Sequence, residues 1–338
     1  MTDENFFEEK YFFHLLNLNF HFPNKEIFDL FQKFKSFKKT FEFLKTKITK
    51  FQSEEELIKE LKENNIEIIT FNDQLYPKTL KNIPDPPLGI YCRGDIKLLD
   101  SFCLAIVGTR KATKQGKLLA YQFASSLAKI GISIVSGLAF GIDENAHKGA
   151  IDVGGRTIGV LGTGIKLALK EKNLASKVNL LISEFLPEAP GLKHHFPLRN
   201  RIIAAISKGT LVIEAPMDSG ALITARLALE YGKDLFVVPG DIWNINYAGS
   251  NMLLKQGAIL VTCPEDILQE YGIKIKEEKL NLTEEEKELL KIIKENKLEE
   301  INEIIKFSNL DIGRVLAIIS SLELKGIIKN ISGKIKIL

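Results

Sequence analysis

The chain has 338 residues, 45% of them hydrophobic, and 46 Lys and Arg against 43 Asp and Glu give a formal net charge of +3. This length suits two or three domains with a sizeable core. So small a net charge excludes wholesale coating by nucleic acid, and any basic footprint must be local.

Lys and Arg number 11 against 12 Asp and Glu over residues 1–65, 25 against 21 in the middle, and 10 against 10 over residues 281–338, which places that footprint centrally. Cys92, Cys103 and Cys263 are far apart and form no CxxC pair. That argues against a disulfide framework or zinc site and for free thiols in a reducing compartment. The start MTDENFFEEK is acidic, unlike a signal peptide, and no apolar run approaches the ~20 residues that span a bilayer. A soluble, cytoplasmic protein without membrane attachment is expected.

Residues 1–66 read as a small helical domain of the SAM-like or helix-hairpin-helix-like type. Phe28, Phe31, Phe34, Phe37 and Phe41 recur at helical spacing as one apolar stripe. Lysines 33, 35, 38, 39, 45 and 47 lie between and after them, as a solvated basic face or an auxiliary nucleic-acid surface. Ser53 and Glu56 form a capping box opening SEEELIKELKEN.

Residues 67–272 have a different texture. EIITF is strand-like, and PDPPLGIYCRGD is a proline-stiffened, extended approach to the next domain. The runs CLAIV, ISIVS, TIGVLG, NLLIS, TLVIE, DLFVV and AILVT are short and β-branched, and helical stretches separate most of them. Short buried strands alternating with helices predict an α/β, Rossmann-like, doubly wound and mostly parallel sheet. Ligands of such sheets sit at the carboxyl ends of the strands.

A charged linker, YGIKIKEEKLN, leads into residues 281–338. Thr283 and Glu286 form a second capping box, and three helices followed by an IIKNISGKIKIL hairpin suggest a winged-helix-like domain. Its third helix carries only Arg314 and Lys325. A duplex reader of this type has a basic recognition helix, so a protein contact or packing role is expected instead.

The strand ends of the middle region carry the informative residues. CLAIV leads into Gly108-Thr109-Arg110, ISIVS into Gly137-Leu138-Ala139-Phe140-Gly141-Ile142-Asp143, and TIGVL into Gly162-Thr163-Gly164. Glycines at such turns let backbone N–H groups approach a phosphate, and helix starts add partial positive charge. Between Leu192 and Ala225, Lys193, Arg199 and Arg201 crowd beside Phe196, and Ser219, Gly220 and Ala221 open a helix one strand later. Cations beside an aromatic, near exposed helix-start amides, suit a phosphate-sugar chain with unpaired bases. The reading is a protein that holds single-stranded nucleic acid and does not cut it.

Other phosphate ligands fit poorly. The first turn is GTRKAT rather than G-x-G-x-x-G, the later GTGIKL has Leu167 in place of the third glycine, and Gly116-Lys117 lacks the rest of a Walker A loop. No nucleotide cofactor is expected, nor a metal, because His147, His194 and His195 have no accompanying ligand cluster. Asp143 and Glu184 are read as helix caps or partners of an arginine rather than as a catalytic pair. No nucleophile is visibly paired with a base.

The ordered strings YPKTL, DPPLGIY, IVGTR, VSGLAFGIDENAH, GVLGTG, ISE, HFPLRNRIIAAIS, LVIEAPMDSGALITA and VVPG closely resemble the DNA-processing protein A family (DprA/Smf) from about Glu67 to Tyr271. The resemblance implies a Rossmann-like, usually dimeric core that binds single-stranded DNA without cleavage and helps load the recombinase RecA during natural transformation. It also fits a helical domain before the core and a winged-helix-like one after it. By matching string, Arg110 would grip the backbone, Lys193, Phe196, Arg199 and Arg201 would wall the pocket, and Ser219, Gly220 and Ala221 would offer amides to phosphate. Gly108, Thr109, Gly137 and Asn200 complete the expected DNA-binding set.

This chain departs from the family at two places. GIKLALKEKN replaces the usual D-x-x-YP-x-x-N after GTG, and Ala221 stands where many relatives have serine. The alternative is a nucleotide phosphoribohydrolase of the lysine-decarboxylase-like type, whose PGGxGTxxE glutamate is replaced here by Thr224 and Ala225.

Overall fold

The seven apolar runs of the middle region are all strands in the computed structural model, which describes residues 3–171, 173–273, 282–296, 298–308, 310–324, 327–331 and 334–337. Two strands precede them. In chain order the sheet comprises β1 (Glu67–Thr70), β2 (Gly89–Gly94), β3 (Cys103–Val107), β4 (Ser133–Ser136), β5 (Thr157–Leu161), β6 (Leu180–Ser183), β7 (Gly209–Val212), β8 (Asp234–Val237) and β9 (Ile259–Leu260). Their spatial order is β1-β2-β6-β5-β4-β3-β7-β8-β9. From β6 to β9 every pairing is parallel, while β1 and β2 add an antiparallel edge. PDPPLGIYCRGD is therefore not merely an approach, because its second half is β2, hydrogen-bonded between β1 and β6.

Both faces of the sheet are covered, which is why its strands read as unbroken apolar runs. Along β3 the side chains alternate. Leu104 and Ile106 join a core with Phe123 and Leu127 of the helix Lys114–Lys129, whereas Ala105 and Val107 join Ile202, Ile203 and Ala225 on the other face. The helix following β3 thus lies on one face, and the helix following β7, Ala221–Glu230, lies on the other. Since β3 and β7 are neighbours, the chain reverses its winding between them and leaves a crevice at their carboxyl ends.

The N-terminal residues form the helices Asp3–Phe20, Lys25–Phe34, Phe37–Phe43 and Glu54–Glu63. The phenylalanine stripe is not one helix. Lys35 takes a left-handed conformation (φ 54°), and the Ser36 side chain then caps a new helix by accepting the Lys39 amide. The rings of Phe31 and Phe37 stack across this break at 4.3 Å. The basic face is partly neutralised, as Lys38 pairs with Glu8 at 2.7 Å and Lys47 with Glu26 at 3.0 Å.

Packing does not break at residue 66. Phe13, Phe31 and Phe37 share one core with Tyr91 of β2, Leu161 of β5 and Leu181 of β6. Polar ties cross the same boundary. His14 Nδ1 lies 3.0 Å from the Tyr91 hydroxyl, Asn17 Nδ2 donates to the Glu184 carbonyl at 3.2 Å, and Lys166 pairs with Glu60 at 3.0 Å. Contacts accordingly group Met1–Ile273 as one unit and Lys274–Leu338 as another.

In the second unit the helices Glu284–Asn296, Ile301–Ser308 and Ile312–Leu324 bury Leu289, Ile293, Ile304, Val315, Ile319 and Leu322 together. The antiparallel hairpin of β10 (Ile328–Ile331) and β11 (Lys334–Ile337) follows. Thr283 and Glu286 cap the first helix reciprocally, and Arg314 is paired with Glu285 at 2.6 Å. Most of the expected linker, residues 274–281, and Lys325 lie outside the described residues. Among the described residues no helix is long and apolar enough to cross a membrane.

Candidate nucleic-acid interface

A cavity of about 640 Å³ opens at the β3–β7 reversal. Ten residues expected from the sequence line it: Gly108, Thr109, Arg110, Lys193, Phe196, Arg199, Asn200, Ser219, Gly220 and Ala221. Gly137 and Arg201, also expected from the sequence, are not among its lining residues.

The loop after β3 is held from below. Thr109 N donates to the Glu214 carbonyl at 2.7 Å, and Thr113 donates through its amide and hydroxyl to the buried Glu214 carboxylate at 3.1 and 2.9 Å. Asn246 Nδ2 donates to the same carboxylate. Gly141 (φ 85°) lets the next turn close over this loop, and a Cβ there would lie 2.4 Å from the Thr109 carbonyl oxygen. The Arg110 backbone is thereby fixed while its side chain is exposed.

Its guanidinium lies over the ring of Phe196, 5.2 Å from carbon to centroid. Phe196 in turn rests on two glycines, since a Cβ at Gly162 or Gly191 would come within 2.8 or 3.0 Å of the ring. Arg110 and Lys193 are both exposed and have no acidic partner among the described residues. The result is a cationic, half-aromatic wall beside an open crevice.

The other two arginines of HFPLRNR have structural partners. Arg199 is buried, donating from Nη1 to the carbonyls of Gly137 (2.8 Å) and Val160 and from Nε to Asn200 Oδ1 (3.2 Å). Gly137 leaves room for it, because a Cβ there would lie 2.5 Å from Arg199 Nη2. Burial lowers the Arg199 guanidinium to about 10 against the opposing pull of Asp143. Asp143 accepts the Gly137 amide at 3.1 Å, and burial raises its carboxyl above the usual range despite Arg199.

Arg201 donates from Nη2 to both Glu184 oxygens at 2.8 Å and lies 3.1 Å from Asp85 through Nε. It faces a second cavity, beside Phe22, Phe28 and Pro86, rather than the crevice. Burial raises Glu184 above the usual carboxylate range, opposed by Arg201. Glu184 is therefore an arginine partner, while Asp143 ties the turn after β4 through the Gly137 amide and acts on Arg199 by charge alone.

The Ser-Gly turn offers fewer amides than expected. Ser219 N donates to the Pro216 carbonyl at 3.0 Å, and Ala221 N donates to the Ser219 hydroxyl at 3.3 Å. Only the Gly220 amide of the three is unpartnered among the described residues, and space beside its Cα is open.

Of the three candidate histidines, His194 is exposed, whereas His147 and His195 are built into the core. His147 hydrogen-bonds Thr157 Oγ1 at 2.6 Å, and His195 stacks on Phe185 at 3.9 Å. Among the described residues no group of His, Cys, Asp or Glu is arranged to hold a metal ion. Thr224 and Ala225, at the position of the hydrolase glutamate, are buried and carry no carboxylate. Sequence reasoning missed Glu214, Gly116 beneath it, and Ile245 and Asn246 of the cavity lining. Glu214 alone carried a signal, as an acidic residue ending an apolar strand.

Fold and site together define a Rossmann-like protein with a cationic crevice at the winding reversal. The family model of DNA recombination-mediator protein A matches residues 67–272, and the chain belongs to that family. Protein Smf of Escherichia coli is 42% identical over 221 residues, a match covering 63% of this chain and 59% of that protein's length. The crystal structure of DNA processing protein A from Streptococcus pneumoniae superposes with a TM-score of 0.61 at 30% identity, covering 78% of this chain and 95% of that one. That of Helicobacter pylori, solved for its single-stranded DNA binding mode, gives 0.54 at 32% identity over 61% and 95%. The chain is thus a member of a family of recombination mediators that carries a Rossmann-like core.

Proposed function

We propose that this chain binds single-stranded DNA without sequence preference in the β3–β7 crevice and helps load a RecA-type recombinase onto it, in recombination and natural transformation. The observation that carries the reading is the pair of unpaired exposed cations, Arg110 and Lys193, set around the half-buried Phe196 at the end of the sheet where such folds take ligands. Cation–phosphate contacts give affinity through counterion release with little sequence preference, and the aromatic face is open to any unpaired base. A duplex keeps its bases stacked and out of such a crevice. Gly108, Thr109, Gly220 and Asn200 shape the floor, while Gly137, Arg199 and Arg201 hold it in place.

Two copies acting together would raise avidity for one strand through effective concentration, which is why a homodimer is part of the proposal. The three-helix and hairpin order of the second unit favours a winged-helix-like module with a protein contact, because its Arg314 is already paired with Glu285. Exchange of a recombinase onto strands pre-coated with this protein, followed against strands coated with an unrelated single-strand binder, tests the loading step. Faster filament growth supports it, and equal or slower growth refutes it.

A further inference from the structure

Beside the crevice stands an exposed apolar loop. Between β8 and the helix Ala248–Lys255, Ile242, Trp243 and Ile245 are 80%, 88% and 76% exposed. The loop is stiff all the same. Asp241 accepts the Trp243 amide through Oδ1 at 2.9 Å and the Asn244 amide through its carbonyl at 3.1 Å, and Asn244 Oδ1 accepts the Asn246 amide at 3.1 Å. Asn246 Nδ2 then ties the loop to the Lys111 carbonyl at 3.1 Å and to Glu214. A rigid mount that holds a tryptophan in water leaves its hydrophobic area unburied, and such a patch marks an interaction site.

The loop is continuous with the crevice, since Ile245 and Asn246 line the same cavity as Arg110 and Phe196. The order β5-β4-β3-β7-β8 puts Phe196, resting on Gly162 after β5, and Trp243, after β8, on opposite sides of the β3–β7 reversal. Four strand spacings separate those two strands, roughly 19 Å at about 4.8 Å each. A strand with phosphates about 3.4 Å apart or more covers that with roughly six nucleotides or fewer.

We infer that Trp243 is a second stacking platform, taking an unpaired base several nucleotides along the strand from the Arg110–Phe196 wall. This rests on the single-strand reading above and adds to it a direction and a length: the strand runs across the carboxyl edge of the sheet from the β5 side to the β8 side. Lys111, exposed and lining the cavity between the two platforms, is the cation under the intervening phosphates.

Trp243 is the only tryptophan in the chain, so its emission reports this contact directly. The full chain is titrated with unlabelled oligothymidylates of 3 and 20 nucleotides, reading tryptophan emission. In parallel, the anisotropy of a labelled 20-mer is measured with the parent, Trp243→Ala and Trp243→Phe. Expected are quenching by the 20-mer, little or none by the 3-mer, a roughly 5- to 150-fold weaker 20-mer complex for Trp243→Ala, and recovery of most affinity in Trp243→Phe.

A 20-mer that binds the parent with unchanged emission, or that binds Trp243→Ala as tightly, overturns the platform while leaving the crevice reading intact. Absence of binding in the anisotropy arm overturns both. Emission that changes with protein concentration alone assigns the loop to self-association and overturns the base contact.

Discussion

The guanidinium of Arg110 sits over the ring of Phe196, and the two come from different elements: one from the loop after β3, the other from the first turn of the helix His195–Ile206. Neither holds the other through a hydrogen bond or an ion pair. Arg110 is positioned by its backbone, through Glu214 and Gly141, and Phe196 by the glycines beneath it. The cation is therefore presented rather than spent, and a phosphate meets it without first breaking a salt bridge.

Removing that cation should weaken strand binding and leave the fold untouched. For Arg110→Ala the loss of one charge-assisted contact predicts roughly 10- to 100-fold weaker binding at moderate salt. The slope of log affinity against log salt should become shallower by about 0.7. Thermal unfolding should match the parent, because the side chain is exposed. Anisotropy at four salt concentrations and a melting curve check both halves.

Arg201 should behave in the opposite way. Replacing it with Met leaves the buried Glu184 carboxylate without the Nη2 that donates to both its oxygens, and breaking a buried pair from one side costs about 3–5 kcal/mol. The double variant Arg201→Met with Glu184→Gln removes the orphaned charge and should recover part of that loss. Urea unfolding of the three proteins measures it. Equal stabilities would mean that the pair does not brace the helix against β6.

Gly116 stands at the start of the helix Lys114–Lys129, where alanine is the better helix former by about 1 kcal/mol. A Cβ at this position would nevertheless lie 1.9 Å from Glu214 Oε2. That carboxylate is buried and tethered to Thr113 and Asn246, so the strain of about 1–3 kcal/mol should win. Gly116→Ala is expected to lower both the melting temperature and strand affinity, since Glu214 holds the Arg110 loop. A variant that gains stability would contradict the role given to Glu214.

His14 gives the first unit a pH dependence. Burial pushes its imidazole below the usual value, with its bond to Gln52 opposing. The unfolded chain therefore takes up a proton near pH 6.5 that the folded chain resists, and the stability His14 contributes falls as pH drops below that value. His195, lowered by burial in the same sense, adds to the trend, whereas the raised carboxyls of Asp143 and Glu184 act with opposite sign. Comparing parent with His14→Gln isolates the first effect: between pH 7.5 and 5.5 the variant should lose less stability than the parent.

The sheet was legible because its strands are buried on both faces and read as apolar runs between helices. Less legible was β2, whose prolines mask a strand that begins only at Gly89. The phenylalanine stripe shows how period alone misleads: helical spacing continues through Lys35 and Ser36, where a left-handed residue and a cap start a second helix.

In the site, the cluster of cations beside Phe196 was visible, but not its division of labour. Lys193 and Arg110 are free because nothing acidic among the described residues folds back on them, whereas Arg199 and Arg201 are buried by carbonyls and carboxylates contributed from β4, β5 and β6. Those are long-range partners with no local pattern. Likewise, the Ser-Gly turn announced a helix start, yet which amides remain open depends on Pro216 and on the Ser219 hydroxyl.

The most direct test of single-strand binding in the crevice is a titration of a labelled single-stranded oligonucleotide with the full chain at several salt concentrations, with unlabelled duplex as competitor and Arg110→Ala with Lys193→Ala as the control. The predicted result is tight binding that weakens steeply with salt, resists duplex competitor and is lost in the double variant. Binding that the duplex competes away equally, or that the double variant retains, would contradict it.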